Sequence, residues 1–360
     1  MKYFIIAGEA SGDLHGSNLV KELRLLDSKA EITGWGGDKM KAAGVDIKKH
    51  IHELAFMGFA EVLMNIGKIM KNFGLCKRQI KDFKPDVIIC VDYPGFNLRM
   101  ATWGKKQGYK IAYYISPTVW AWKENRVETV RRYVDRMICI LPFEKDFYAK
   151  KNLVVDYVGH PTVDVIEQEK KTLSSLDETN IIALLPGSRK QEIVKMLPLM
   201  LEATEALQDY KLVIAQAPNL DREVYMPYLK DNRFELVQHK TYDLLKVAKA
   251  AIVTSGTATL ETALFGVPQV VCYIANAVSY AIAKRLVRVK YISLVNLILN
   301  RESVVELIQA DMTVENIKAE LSLLLYDTHR RETLKKIMPN FQIDCDKVVR
   351  VKKPLRSCMS

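Results

Sequence analysis

Short, continuously apolar runs alternate along this chain with longer stretches whose apolar residues recur every three or four positions. The runs 3–7, 32–35, 87–91, 111–115, 137–141 and 155–158 form a first series. A second series, 181–185, 211–215, 234–237, 251–254 and 269–273, follows a polar interval. Runs this short and this uniformly apolar are strands covered on both faces. Helical stretches between them predict parallel, doubly wound sheets. Between Asp164 and Thr179 the pattern lapses into polar and acidic residues, which reads as a link. The expectation is an α/β chain of two Rossmann-like domains facing a cleft, residues 1–165 and 166–337. A basic, helix-patterned tail, 338–360, would join the first domain or a second subunit.

Chemistry concentrates where strands end. In the second half, one strand runs into Leu185-Pro186-Gly187-Ser188-Arg189 and another into Ser255-Gly256-Thr257-Ala258-Thr259-Leu260-Glu261. A small, hydroxyl-rich turn opening a helix presents backbone N–H groups and the positive end of a dipole, which suits a phosphate. Gly187, Ser188, Ser255, Gly256, Thr257 and Ala258 are therefore candidate anion contacts, and Arg189 adds a bidentate cation. Two such turns suggest a diphosphate across the top of a sheet. Glu261, one turn into its helix, can accept both hydroxyls of a ribose. Taken singly, each turn is also an ordinary helix cap.

In the first half, Gly8-Glu9-Ala10-Ser11-Gly12-Asp13 follows the first strand, and Ser11 is a candidate ligand contact. The glycine spacing is not that of a dinucleotide site. Val91-Asp92-Tyr93-Pro94-Gly95-Phe96-Asn97 ends another strand. A carboxylate there can take a proton from a substrate hydroxyl if a water-poor setting raises its pKa, with Asn97 orienting the same substrate. Trp120 and Trp122, after Ser116-Pro117, can wall a sugar ring or an acyl chain, or simply pack. Asn296, alone in an apolar run, needs a designated partner.

The net charge of +11 attracts anionic membranes, phosphorylated substrates or nucleic acid. The basic residues are dispersed and no recognition motif accompanies them, so nucleic acid is the poorest fit. A helix pattern containing Met57, Phe59, Met64, Ile69 and Phe73, interleaved with Lys68 and Lys71, is either a basic amphipathic membrane contact or a core helix with a solvated back. Six cysteines without a CxxC pair predict neither a disulfide framework nor a zinc site, and favour the cytoplasm. No run reaches eighteen uninterrupted apolar residues, and the N-terminal apolar stretch is too short for a secretory signal.

Taken together, these motifs resemble the lipid-A-disaccharide synthases, inverting glycosyltransferases of the two-Rossmann-domain (GT-B) type. The resemblance rests on Gly8 to Asp13, Met57-Gly58, Pro85-Asp86, Ser116-Pro117 with Val119 to Trp122, Leu141 to Glu144, Val158-Gly159-His160, Leu184 to Arg189, Ser255 to Ala258 with Glu261, and Asn296. It implies transfer of 2,3-diacylglucosamine from UDP to 2,3-diacylglucosamine 1-phosphate, giving a β(1→6) disaccharide and UDP at the cytoplasmic face of the inner membrane. The second domain would bind UDP and the first the acylated sugar. Asp92 would be the base and Arg189 would neutralise the leaving diphosphate, with Ser11 and Asn296 positioning substrate. No metal or cofactor is expected, since no DxD-type motif ends a strand. The family carries a second acid after the proline of the Asp92 motif, where this chain has Gly95. Two other readings stay open: a UDP-sugar epimerase of the same fold, and a non-enzymatic basic scaffold at a membrane.

Overall fold

A computed structural model describes residues 1–54, 66–176, 180–229, 233–276, 280, 285, 289–330 and 332. The chain divides into two compact units, Met1–Pro161 and a second beginning at Thr162. In the first unit, strands β1 (Lys2–Ile6), β2 (Glu31–Gly36), β3 (Asp46–His50), β4 (Val87–Val91), β5 (Lys110–Tyr114), β6 (Arg136–Cys139) and β7 (Asp156–Tyr157) form one sheet in the order β3-β2-β1-β4-β5-β6-β7. Every neighbouring pair is parallel. The second unit repeats the plan with β8 (Ile181–Leu185), β9 (Lys211–Gln216), β10 (Phe234–Gln238), β11 (Ala248–Thr254), β12 (Gln269–Tyr273) and β13 (Glu306–Ile308), ordered β10-β9-β8-β11-β12-β13 and again parallel throughout. Two Rossmann-like parallel sheets are thus the architecture.

The central strands are buried along their whole length, as continuous apolar runs require: β4 and β8 are buried at every position. Two strands escaped the sequence pattern. The segment of β3, Asp-Ile-Lys-Lys-His, is half exposed at the sheet edge, so nothing forces it to be apolar. Strand β13 is only three residues long.

The interval read as a link is largely structured. Helix Pro161–Glu169 occupies its first part. Beyond it, Ser174 and Ser175 donate to the Asp243 carbonyl and carboxylate, and Leu176 packs on the apolar core of the second unit. Its polarity is that of an exposed helix face rather than a free tether.

The helix Ile66–Phe83 corrects part of the membrane-contact reading. Phe73 is buried and stacks on Phe96 with ring centroids 4.3 Å apart, and Ile69 packs against the same core. Cys76 and Ile80 continue that buried stripe. Phe73 and Ile69 therefore hold the helix to its own sheet, while Lys68 and Lys71 stand exposed. Met57, Phe59 and Met64, and the tail 338–360, lie outside the described residues. Among the described residues, no helix is long and apolar enough to cross a membrane. Cys76, Cys90, Cys139 and Cys272 are free, buried thiols.

Candidate active-site residues of the two units

In a doubly wound sheet the strand order reverses at one point, and ligands bind beyond the carboxyl ends of the strands flanking it. In the first unit that point lies between β1 and β4, and in the second between β8 and β11. Four of the motifs singled out by sequence, at Gly8, Asp92, Gly187 and Ser255, follow these four strands.

At the first switch point, β1 pairs with β4 so that Ile6 lies opposite Cys90, which brings Gly8 beside the Asp92 turn. A Cβ on Gly8 would fall 2.4 Å from the Tyr93 ring, so only glycine allows this approach. Asp92 and Tyr93 both have left-handed backbone, with φ of 45° and 49°. Two consecutive non-glycine residues in that region are strained and need outside support. Asn97 and Tyr113 supply it. The Asn97 amide donates to the carbonyls of Ile6, Val91 and Asp92 at 3.1, 3.1 and 2.8 Å, and the Tyr113 hydroxyl donates to the Asp92 carbonyl at 2.7 Å.

Asn97 is consequently part of the scaffold. It is fully buried and cannot reach a ligand, which corrects its assignment as a substrate contact. The Asp92 side chain is only half buried. Desolvation first, and the nearby negative charge of Glu9 second, push its carboxyl up to about 6, against a lowering hydrogen bond at Tyr93. Such a carboxylate is ionised at neutral pH yet basic enough to accept a proton during reaction. Ser11 is exposed in the first turn of helix Ala10–Leu26. Asp13, by contrast, is buried, accepting from the backbone N–H groups of Gly37, Lys39 and Met40. Gly95 is exposed, and a Cβ there would meet nothing within 4 Å, so a side chain such as the acid implied by the resemblance is sterically admissible at this position.

Nearby motifs of this unit knit into each other. Trp120 donates to Glu144 at 3.2 Å and meets Phe143 edge to face, while Ser116 and Tyr148 share a hydrogen bond. Burial raises the Glu144 carboxyl to about 7. Trp120 thus packs, whereas Trp122 is exposed beneath the Lys123 ammonium. His15 and His160 touch edge to face, and burial lowers them to about 4 and about 3, so both are neutral at physiological pH.

In the second unit, Leu185 of β8 lies opposite Val253 of β11, which sets the two turns side by side. They are not equivalent. At the first, the Glu192 carboxylate accepts from the backbone N–H groups of Ser188 and Arg189 at 2.9 and 3.1 Å, and from the Arg189 guanidinium at 3.0 Å. The N–H groups expected to meet a phosphate are therefore taken by an internal anion. Gly187, at φ 115°, faces that carboxylate so closely that a Cβ would lie 2.5 Å from it. The Arg189 side chain remains 63% exposed and can turn outward.

The second turn is open. Helix Thr257–Leu264 starts at Gly256 without a side-chain cap. Gly256 and Thr257 are exposed, and Ser255 and Ala258 half buried. Ser255 donates its hydroxyl to the Ile292 carbonyl at 3.2 Å and retains acceptor capacity. Thr259 is unsuited to a ligand, being buried and donating to the Gly256 carbonyl. Glu261 accepts from the Tyr242 hydroxyl at 2.9 Å through Oε1. Burial raises the Glu261 carboxyl, opposed by that hydrogen bond.

Asn296 also proves to be scaffold. Its Nδ2 donates to the Val304 carbonyl and to Glu306, and its Oδ1 accepts from the Ser303 and Val304 amides. All four of its hydrogen-bonding positions are used inside the protein, which corrects the substrate-positioning assignment. Glu306 in turn accepts from the Ile292 and Ser293 amides, so this network fixes the loop that holds Ser255. Sequence reasoning missed Tyr113, Glu192 and Tyr242. The spacing Arg189-x-x-Glu192 is that of a capping box and carried the second; the other two have no local signature.

Comparison with known proteins places these observations in a family. A family model described as lipid-A-disaccharide synthetase matches residues 3–354. The lipid-A-disaccharide synthase of Geobacter metallireducens is 41% identical over 345 residues, covering 92% of this chain and 90% of that protein. Among solved structures, the calicheamicin glycosyltransferase CalG4 matches with a TM-score of 0.61 at 15% identity, covering 99% of this chain and 96% of its own. The UDP-GlcNAc 2-epimerase from Neisseria meningitidis, bound to UDP-GlcNAc, matches with a TM-score of 0.58 at 13% identity, covering 95% and 100%. At such identities the structural likeness speaks for the fold alone.

Proposed function

Because this chain belongs to the lipid-A-disaccharide synthase family, glycosyltransferases that build the lipid A disaccharide, we propose that it joins UDP-2,3-diacylglucosamine to 2,3-diacylglucosamine 1-phosphate with inversion. One observation carries the reading: each sheet sets one half of the needed chemistry at its switch point. The first has a carboxylate of raised pKa at Asp92, and the second an uncapped helix start at Gly256 beside Arg189.

In this reading Asp92 takes the proton of the acceptor hydroxyl as its oxygen attacks the anomeric carbon of the donor. The bond to the diphosphate breaks on the opposite face and its electron pair leaves with UDP. The helix start at Gly256 and the outward-turned Arg189 receive that charge, as donors fixed in advance stabilise a developing anion. Glu261 holds the ribose hydroxyls, its free oxygen oriented by Tyr242. We assign no cofactor, because these groups supply the positive charge the leaving group needs. We infer that the reaction takes place at the cytoplasmic face of the inner membrane, a reading supported by the acylation of the proposed substrates and by exposed lysines such as Lys68 and Lys71, which suit anionic lipid.

Binding of UDP should stabilise the protein by mass action, about 2.7 kcal/mol at a hundredfold excess over Kd. A thermal shift with UDP that shrinks in Glu261→Gln, and survives EDTA, is the expected result. No shift at millimolar UDP would remove the second-unit assignment. Tyr242→Phe leaves the Glu261 carboxylate without its donor. It should raise KM for the donor substrate about three- to tenfold, the loss of about one hydrogen bond, with kcat nearly unchanged. Steady-state kinetics on the variant check this.

A further inference from the structure

We propose that Asp38, His50 and His52 form a binding site for a divalent transition metal, with zinc the ion that fits best. Asp38 opens the helix Asp38–Ala42, His50 ends β3, and His52 sits in the 3-10 turn Ile51–Glu53. One ligand atom from each lies within 4.8 Å of the others. His50 Nε2 is 3.6 Å from Asp38 Oδ1. That separation is long for a hydrogen bond. It is close to the edge, about 3.4 Å, of a tetrahedron whose vertices are ligands about 2.0–2.1 Å from zinc.

A second observation points the same way. His50 Nε2 is shielded from solvent and has no hydrogen-bond partner, so it lacks the compensation that a buried polar atom requires. The His50 and His52 rings lie stacked with centroids 4.7 Å apart. Two imidazoles and one carboxylate suit zinc and its transition-metal neighbours over magnesium or calcium, and three protein ligands leave a position for water.

The backbone beneath the three side chains is held from several sides. The Asp13 carboxylate pins the turn at Gly37 and Met40, His50 pairs in register with Gly36, and Glu53 accepts the His50 amide. With the backbone held, closing the site is left to rotation of the side chains, which must bring ligand atoms now within 4.8 Å to about 3.4 Å and turn the stacked rings toward one ion. Coordination through Nε2 moves the imidazole proton to Nδ1 and releases the long 3.4 Å bond from the His52 amide, a weak contact. The site lies on edge strand β3, three strands from β4 and Asp92 in the sheet order. Its effect is to clamp the β2–helix turn to the end of β3, and the transfer reaction does not pass through it.

The test uses the full chain stripped with EDTA and titrated with zinc alone, followed by equilibrium dialysis and thermal unfolding, with cobalt as a spectroscopic probe. The wild type should bind one zinc more than His52→Ala and should unfold at higher temperature as zinc is added. Both His52→Ala and Asp38→Asn should weaken that zinc by at least about tenfold, and the tetrahedral cobalt spectrum should disappear. The Asp38 side chain is 84% exposed and His52 is exposed, so both variants should match the wild type's unfolding temperature in EDTA. Equal zinc binding and an unchanged cobalt spectrum in all three proteins would overturn the proposal.

Discussion

Asp92→Asn should cut the rate of disaccharide formation by about 10²–10⁴-fold, the range a positioned general base contributes. Its effect should fall on kcat, because the groups assigned to UDP all belong to the other unit. UDP affinity should stay within about twofold, well under the 1.4 kcal/mol that a tenfold change represents. The change is nearly isosteric, and the Asp92 backbone bonds to Asn97, Tyr113 and Tyr114 are untouched by it. A pH profile adds an independent check. The carboxylate must be ionised to accept a proton, and desolvation with the Glu9 charge raises its pKa to about 6. In the wild type, kcat/KM should therefore fall as pH drops through about 6, rather than holding to the usual carboxylate range near 4. The residual activity of Asp92→Asn should lack that limb. Full turnover in the variant would remove Asp92 as the base.

Asn97→Ala should be the most damaging change at the scaffold level. It withdraws the donor that three buried carbonyls share and opens a small void beneath the strained Asp92–Tyr93 turn. Losing a buried hydrogen-bond hub of this kind costs about 2–4 kcal/mol. For a unit of this size that corresponds to a Tm lower by roughly 5–12 °C. Activity measured below the new Tm should also fall, because the left-handed backbone that aims Asp92 relaxes once its support is gone. Differential scanning calorimetry combined with donor-substrate kinetics checks both parts. A variant of unchanged Tm and unchanged kcat would show that Asn97 supports neither.

How much of this was legible in the sequence depended on whether a residue's partner is local. Both sheets and the four strand ends at the switch points could be read, because a strand buried on both faces leaves an unmistakable apolar run. Strand β3 could not, since an edge strand with a solvated side has no reason to look apolar. The polar residues divide in the same way. Asn97 and Asn296 stand out correctly as polar groups that must be satisfied, yet the pattern cannot say whether a ligand or the protein's own backbone satisfies them. In both cases the protein does: backbone carbonyls take the Asn97 amide, and backbone groups together with Glu306 take Asn296.

The paired phosphate turns show a further limit. Their composition is alike, but Glu192 fills one and no side chain caps the other. Only the direction of a single carboxylate separates them. Phe73 carries the same lesson for the amphipathic helix: lysines flank it in sequence, but its ring lies in the core, stacked on Phe96. Tyr242 and Tyr113 act through contacts far away in sequence, with nothing nearby to announce them.

The most direct test supplies the protein with UDP-2,3-diacylglucosamine carrying a labelled sugar, together with 2,3-diacylglucosamine 1-phosphate. The lipid product is then isolated and its linkage determined. The expected result is a labelled β(1→6) disaccharide 1-phosphate formed in equal amount with UDP. Recovery of an epimerised sugar, an α linkage, or UDP release without disaccharide would contradict the assignment of inverting transfer.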